Sequence, residues 1–358
     1  MFALIEGGTV DIAVHEVLED NMLRELHQAT GGSWGGNTVT ENFLEIIAQA
    51  VGEDVYRDFV DKNKHDYLEL MKEIEEKKRK GNPDSQEKIS IKLPSALLRA
   101  YETKNKQPFG KNSTREDDKD PVSFIGDKLR ITSKKFVSLF AAPVQDIIAH
   151  IHDLLESIRK PITVLLMVGG FSDSPVLRMK VRQAFGERMK VVIPTEASLS
   201  VAKGAVLYAF EPGRITERVI RYTYGIDQTV SFKPSEHPVN RKSLVGKKAM
   251  VDGVFDIHVR VGDVVKYGEF QTERVYYPVT PNDLDYSVML YRSNKTEPKF
   301  TDEDGCHFVG YYFMSRPYQK GTSTKDEAIK VKLAFGHSDI QAKVTAHNGE
   351  EVMSEFKL

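Results

Sequence analysis

The hydrophobic period of this chain changes once, near residue 210, and no other feature constrains its fold as tightly. Up to that point, apolar runs that read as strands alternate with stretches of helical spacing. Phe43, Ile46, Ile47, Ala50 and Val51 recur on one helical face behind a Thr38/Glu41 capping pattern. Asp66 to Lys80 reads as a second helix, stopped by Gly81-Asn82-Pro83-Asp84, and Val144, Ile147, Ile148, Ile151, Leu155 and Ile158 mark a third. Pro161 then opens the run Ile162–Val168, whose unbroken apolar character predicts a strand covered on both faces. From about Arg221 the patterns are short strands of period two. Phe255, Ile257, Val259 and Val261 alternate with polar residues, as do Tyr286, Val288 and Leu290, and then Ile329, Val331, Leu333 and Phe335; Asn348-Gly349 predicts a two-residue hairpin turn. The spacing therefore predicts an α/β domain over residues 1–210, a linker over 211–220 and an all-β domain over 221–358, with a β-sandwich as the economical architecture. A length of 358 residues gives each domain enough chain for its own core.

Composition narrows the function. A formal net charge of −2 supplies no field for nucleic acid or an anionic membrane surface, so neither is expected as a partner. The single cysteine, Cys306, excludes an intrachain disulfide and stands apart from any Cys/His cluster, so no metal site is expected. No apolar run reaches the roughly 18 residues of a membrane span, and no basic leader precedes the first apolar stretch. The expected location is the cytoplasm, with the nucleus as the alternative. Asn112-Ser113-Thr114 matches a glycosylation acceptor that has no chemistry without secretion, and Lys104 to Asp120 reads as a solvated loop.

Three segments carry chemistry. The chain opens on an apolar strand, the turn Gly7-Gly8-Thr9 and a second strand in which Val10, Ile12 and Val14 alternate with Asp11, Ala13 and His15. Paired glycines let backbone N–H groups approach a phosphate, and the Thr hydroxyl adds a donor; an ordinary hairpin corner reads the same way. Glu75, Lys78 and Arg79 share one face of the second helix, where a carboxylate and two cations suit ribose hydroxyls and a stacked purine, or simply a solvated charge run. Val168-Gly169-Gly170-Phe171-Ser172-Asp173-Ser174-Pro175 follows the apolar strand and leads into a helix, with Ser174 as a cap and Pro175 at the first helical position. Such a turn suits a nucleotide, or close packing through small residues. His15, His150 and His152 read as surface or satisfied residues, while Trp34, flanked by Gly31, Gly32, Gly35 and Gly36, either faces a nucleotide or caps the core.

Taken in this order, the three segments resemble the actin-like ATPase domain of the 70-kDa heat-shock chaperone family, and most closely its divergent heat shock 70 kDa protein 12 branch. Gly7-Gly8-Thr9-Val10-Asp11 is similar to the family's second phosphate motif, Glu75-Glu76-Lys77-Lys78-Arg79 to its adenosine-contacting helix, and Val168-Gly169-Gly170 with Ser172 and Pro175 to its adenosine motif. Ile89–Ala100, Pro194-Thr195-Glu196-Ala197, Tyr222-Thr223-Tyr224-Gly225 and Leu333–Ile340 extend the resemblance along the whole chain. It implies the second lobe of an actin-like (ribonuclease H-like) ATPase domain followed by a β-sandwich substrate-binding-like domain. It implies phosphate binding by Gly7, Gly8 and Thr9, and adenosine binding by Glu75, Lys78, Arg79, Gly169, Gly170 and Ser172. The implied ligand is ATP or ADP, with magnesium, bound weakly.

Two departures argue against catalysis. Leu4 stands where the family has an acidic residue, and Glu6 where it has the first glycine, which places a negative side chain where a phosphate approaches. No earlier Asp-x-Gly-Thr hairpin supplies the other half of a cleft, and phosphoryl transfer needs both halves for positioning. The expectation is a chaperone-like, stress-related protein with residual nucleotide motifs and no catalytic or metal-ligating residue, binding unfolded or extended peptides or protein partners and self-associating through an exposed half-cleft. The alternatives are a fragment of a working ATP-dependent chaperone and a structural interaction protein with vestigial motifs.

Overall fold

The computed structural model describes residues 1–109, 122–279, 285–315, 327–336 and 339–357. The Asn112-Ser113-Thr114 match, residues 110–120 of the loop expected from Lys104 to Asp120, and His337-Ser338 of the Leu333–Ile340 segment lie outside the described residues; Lys104 and Asn105, at the start of that expected loop, instead end a helix. The chain divides into two compact units, Met1–Ala13 with Ala29–Val206, and Val14–Gln28 with Leu207–Leu358.

The first unit holds the opening strands β1 (Phe2–Ile5) and β2 (Val10–Val17, whose end belongs to the second unit), and the end of β3 (Leu23–Gly32). Then come α1 (Gly36–Val51), α2 (Glu53–Lys62), α3 (Lys64–Lys80), β4 (Ile89–Lys92), α4 (Ser95–Asn105), β5 (Ser123–Ile125), β6 (Lys128–Ile131), α5 (Ser133–Ser138) and α6 (Ala141–Ser157). It closes with β7 (Val164–Val168), α7 (Pro175–Phe185), β8 (Lys190–Val192) and most of α8 (Ser200–Phe210). β2, β1, β7 and β8 are neighbours in that order; β1 runs antiparallel to β2 and parallel to β7. Alternation explains the pairing: Ala3 and Ile5 of β1, with Val10 and Ile12 of β2, are fully buried. In β7 only Leu165 and Met167 are fully buried and Val164 is exposed, so the apolar run covers one face completely rather than two. β4, β6 and β5 form a separate antiparallel sheet.

α1 buries Val39, Phe43, Ile47 and Val51 and packs on α2, α3 and α6. It begins at Gly36, not behind a Thr38 cap. Gly35 is its N-cap and makes no side-chain cap; the first free N–H groups are instead taken by the opening hairpin, Gly36 N–H by the Glu6 carbonyl at 2.9 Å and Asn37 N–H by the Gly7 carbonyl at 2.7 Å. Only glycine fits at residue 35, since a Cβ there would lie 2.3 Å from the Gly7 carbonyl oxygen.

The second unit contains β9 (Ile215–Val219), β10 (Thr223–Ser231), β11 (Ser243–Val245), β12 (Lys248–Val259), β13 (Val264–Lys266) and β14 (Arg274–Tyr276). β15 (Asp285–Ser293), β16 (Cys306–Ser315), β17 (Ile329–Ala334), β18 (Asp339–Thr345) and β19 (Glu351–Lys357) complete it. Residues 211–220, the expected linker, hold a short turn at Pro212–Arg214 and β9, which pairs with β3 and β13. Its charges have partners: Arg24 Nε meets Glu217 Oε2 at 2.9 Å, and Val219 N–H donates to Glu25 at 2.9 Å.

A five-stranded antiparallel sheet, β11-β12-β10-β15-β16, and a four-stranded one, β14-β17-β18-β19, contribute to one core. Tyr224, Ile226, Val259, Val288 and Leu290 come from the first; Val331, Leu333, Ile340, Val344 and Phe356 come from the second. The period-two reading is met for Tyr286, Val288 and Leu290 and for Ile329, Val331, Leu333 and Phe335, which all enter this core. It is met only in part for the earlier run, where Ile257 and Val261 are half-buried and the β10–β12 pairing shifts register. The β18–β19 turn is longer than two residues: Gly349 N–H donates to Ala346 O, Ala346 N–H to Glu350 O, and Gly349 takes a left-handed φ of 84°. A turn followed by a left-handed glycine matches strand twist as well as the shorter turn does. Among the described residues, no helix is long and apolar enough to cross a membrane.

Candidate functional site

Leu4 of β1 sits opposite Val168 of β7, so the Glu6–Thr9 turn and the Gly169-Gly170 turn leave the same end of the sheet. Open α/β sheets place ligands outside the carboxyl ends of their strands. A cleft of about 150 Å³ lies there, lined by Gly7, Gly36, Asn37, Glu75, Lys78, Arg79, Gly170, Phe171 and Ser174. It therefore draws on the opening hairpin, the start of α1, the last turns of α3 and the turn before α7.

Lys78 is the most constrained of these. It is 3% exposed, and its Nζ donates to Gly36 O at 2.7 Å, Thr40 Oγ1 at 2.8 Å and Glu75 Oε1 at 2.5 Å. An ammonium has three protons, and here all three are used inside the protein. Burial pushes its pKa below the ordinary lysine value, and the Glu75 carboxylate opposes that shift. Thr40 Oγ1 donates to Glu75 Oε1 at 3.0 Å, so Glu75 is held from two sides. Arg79, one residue on, is exposed, with its guanidinium near Gly170: a Cβ on that glycine would lie 3.7 Å from Nη2.

Of the residues picked out by the motifs, Gly7, Glu75, Lys78, Arg79 and Gly170 line the cleft. Gly8 and Thr9 are exposed on the hairpin and outside its lining; Thr9 Oγ1 donates to Asp11 at 3.4 Å. Lys78 belongs to the floor and fixes Glu75, Thr40 and α1 rather than reaching outward. Gly169 and Ser172 form the frame of the turn. Gly169 has φ 89°, donates its N–H to Ala197 O at 2.9 Å and passes so close to β1 that a Cβ would be 2.5 Å from Ile5 O. Ser172 is fully buried and donates its hydroxyl to Val168 O at 2.7 Å. Arg178 locks the same turn through Ser172 O and Asp173, both at 2.8 Å.

Gly36, Asn37, Phe171 and Ser174 line the cleft without having been singled out for it. Gly36 has a spacing reason: a Cβ there would be 3.0 Å from the Phe171 ring and 3.2 Å from Lys78 Nζ. Ser174 had a signal, its place before Pro175, but that signal points to a helix cap. It is indeed the N-cap of α7 with Pro175 at the start, yet its side chain caps nothing. Trp34 lies outside the lining, with its ring 5.2 Å from that of His150. Among the described residues, no group of three or more His, Cys, Asp or Glu is arranged to hold a metal ion.

Two mammalian proteins are similar to almost the whole chain: Heat shock 70 kDa protein 12A of Mus musculus and of Homo sapiens, each 29% identical over 343 residues, or 94% of this chain. The chain is a relative of the heat shock 70 kDa 12 proteins. Heat shock 70 kDa protein 12B of Homo sapiens is likewise 29% identical, over 353 residues and 95% of this chain. The motif-based resemblance and these relatives agree. The chain spans about half the length of the curated relatives it matches, 50% in each case. No protein-family model matches it. A solved structure, a Bacillus thuringiensis ParM hybrid protein with ADP, is 14% identical and covers 70% of this chain and 34% of its own at a TM-score of 0.29, too loose a superposition to define a fold.

Proposed function

We propose that this relative of the heat shock 70 kDa 12 proteins is a chaperone-like protein whose cleft binds ATP or ADP weakly, without efficient hydrolysis, and whose two antiparallel sheets form a β-sandwich that binds extended peptides or protein partners. In this reading the first unit is the second lobe of an actin-like ATPase domain. The observation that carries it is the convergence of Gly7, Glu75, Arg79 and Gly170, from three segments far apart in sequence, on one cleft at the carboxyl ends of β1 and β7.

The chemistry of the lining supports binding over turnover. Glu75 is its only acidic side chain, and Lys78 and Thr40 already hold it, so no carboxylate is poised to activate water. One engaged carboxylate does not make a magnesium site, so any magnesium would arrive on the nucleotide's own phosphates. Of the cations, Lys78 is spent internally, which leaves Arg79 to meet a phosphate or the face of a base.

For the β-sandwich, support comes from β16, the last strand of its sheet, which exposes Phe308, Tyr311 and Phe313 in one aromatic row. An outermost strand with an apolar row is what strand addition by an extended peptide uses. Self-association is supported by α8, where Val201, Val206, Leu207 and Phe210 are all exposed.

Titration calorimetry with ADP and ATP, with and without magnesium, alongside phosphate release, tests the reading. It predicts saturable 1:1 binding with negligible turnover; no binding of either nucleotide overturns it. A purely structural interaction protein is favoured by one set of facts, the internal use of Lys78, Ser172 and the first N–H groups of α1. That reading predicts no nucleotide binding and intact partner binding.

A further inference from the structure

The five-stranded sheet of the second unit ends, on the side away from β16, in a hairpin of unusual composition. β11 pairs only with β12, Leu244 opposite Ala249 and Val245 opposite Lys248. The two residues between them, Gly246 and Lys247, make the turn, and Gly246 takes the left-handed φ of 62° that tight hairpin turns ask of their first residue. A Cβ on Gly246 would meet nothing within 4 Å, so the tip stands in open space. A short turn at Val239–Arg241 leads into the hairpin. From Lys233 to Lys248 the chain places five basic residues, Lys233, Arg241, Lys242, Lys247 and Lys248, against the single acid Glu236. That is a local charge of +4 in a chain whose total is −2.

Two of the five cations are engaged within the protein. Lys233 pairs with Glu236 at 3.1 Å, and Arg241 grips both carboxylate oxygens of Asp302 at 2.7 and 2.9 Å with its guanidinium over the Phe300 ring, which anchors the segment. The other three are exposed, and among the described residues none has a carboxylate partner; Lys242 only rests its ammonium 5.3 Å from the Phe232 ring. Between these lysines in sequence stand Val239, 76% exposed, and Leu244, 72% exposed; among the described residues only Phe210 is a more exposed large apolar side chain. Lysines on a short edge strand keep it from pairing with other chains. That role asks for charge alone and leaves two bare aliphatic side chains unexplained. An acidic protein partner would likewise use the cations and leave the aliphatics in water. A lipid surface uses both: apolar tips enter the acyl boundary, lysine stems lie along it, and the ammonium groups stay among the headgroups.

We propose that the β11–β12 hairpin and the turn before it dock on an anionic lipid bilayer, with Val239 and Leu244 entering the interface and Lys242, Lys247 and Lys248 meeting the negative headgroups. The small net charge of the whole chain, which speaks against a membrane partner, is an average that hides this cluster. The docking is independent of the nucleotide cleft and of the aromatic row on β16. It is peripheral and reversible, because two aliphatic tips and three lysines supply far less than a spanning helix.

Vesicle flotation of the full chain tests this, with vesicles of phosphatidylcholine alone and of phosphatidylcholine mixed with phosphatidylserine, at low and high salt. The unaltered chain is expected to bind the mixed vesicles, to lose affinity as salt screens the headgroups, and to ignore the neutral ones. A lysine near an anionic surface is worth about fivefold in affinity, so the triple variant K242Q/K247Q/K248Q is expected to bind about a hundredfold more weakly. The double variant V239S/L244S keeps every charge and is expected to bind severalfold more weakly. All five side chains are exposed, so both variants should keep the Tm of the unaltered chain. Failure of the unaltered chain to bind mixed vesicles overturns the docking, as does unchanged affinity in the lysine variant. Unchanged affinity in V239S/L244S reduces the contact to charge adsorption and overturns the insertion. Tighter binding of a soluble polyglutamate peptide than of the mixed vesicles would make the hairpin a site for an acidic protein instead.

Discussion

Lys78 and Arg79 are adjacent on α3 but have opposite fates: the Lys78 ammonium is buried and satisfied by Gly36, Thr40 and Glu75, while the Arg79 guanidinium is exposed at the cleft. Their substitutions should therefore separate stability from binding. Lys78→Met removes the buried ammonium that pairs with Glu75 and donates to Gly36 O and Thr40 Oγ1, and is expected to cost roughly 2–3 kcal/mol. Arg79→Ala should change stability by no more than about 0.5 kcal/mol and weaken nucleotide binding severalfold. Urea unfolding and calorimetry measure the two effects; a stable Lys78→Met protein would remove the structural role assigned to this lysine.

The glycines of the two turns are predicted to differ as sharply. Gly169→Ala combines a φ of 89° with a Cβ placed 2.5 Å from Ile5 O, so it is expected to lower stability by about 2 kcal/mol or more. Gly8→Ala meets nothing within 4 Å and should be tolerated. Thermal melts of the two variants decide the point, and similar Tm losses would contradict it.

Acid should destabilise the second unit through a buried histidine. His258 Nε2 donates to Tyr276 Oη at 2.8 Å, and Tyr276 donates in turn to Asp256 at 2.6 Å. Burial, helped by the positive charge of Arg274, holds the His258 pKa at about 3. An unfolded chain protonates this histidine near 6.5. Between those two values the unfolded state carries the extra proton, so stability rises with pH and is lost as pH falls from about 6.5 toward 3. His15, held at about 4 chiefly by burial, acts in the same direction. Replacing His258 by Gln should flatten the decline in urea midpoints between pH 6.5 and 4.5; an unchanged slope would contradict the assignment.

The aromatic row of β16 should matter for partners and little for folding. Phe308, Tyr311 and Phe313 are each more than half exposed, so a triple serine variant gives up little buried surface. Fluorescence anisotropy with a labelled extended apolar peptide is expected to show at least severalfold weaker binding at an unchanged Tm. Unchanged peptide affinity would place the peptide elsewhere.

Much of this was legible in the sequence, where side chains repeat at the period of their element. Tyr286, Val288 and Leu290 alternate because every second residue of β15 enters the shared core. Gly7, Glu75, Arg79 and Gly170 come in short motifs and line one cleft, so their grouping was legible. What sequence spacing could not show were contacts between distant segments. Lys78 is committed to Gly36 and Thr40, some forty positions away, and Ser172 to a backbone carbonyl, so neither faces outward as the motifs suggest. α1 starts at Gly36 because a tertiary contact, the Glu6 and Gly7 carbonyls, replaces the side-chain cap that Thr38 would provide. The change of period marks 211–220 as a linker, and there Glu217 pairs with Arg24 from far along the chain as part of β9.

The central claim is that the cleft between the opening hairpin and the α7 turn is a nucleotide site. Hydrogen exchange of the full chain with and without saturating ADP addresses it most directly, because it reports where a ligand sits as well as whether one binds. Slower exchange confined to residues 7–9, 36–37, 75–79 and 169–178 is the predicted result. An unchanged exchange pattern in those segments at saturating ADP would contradict it.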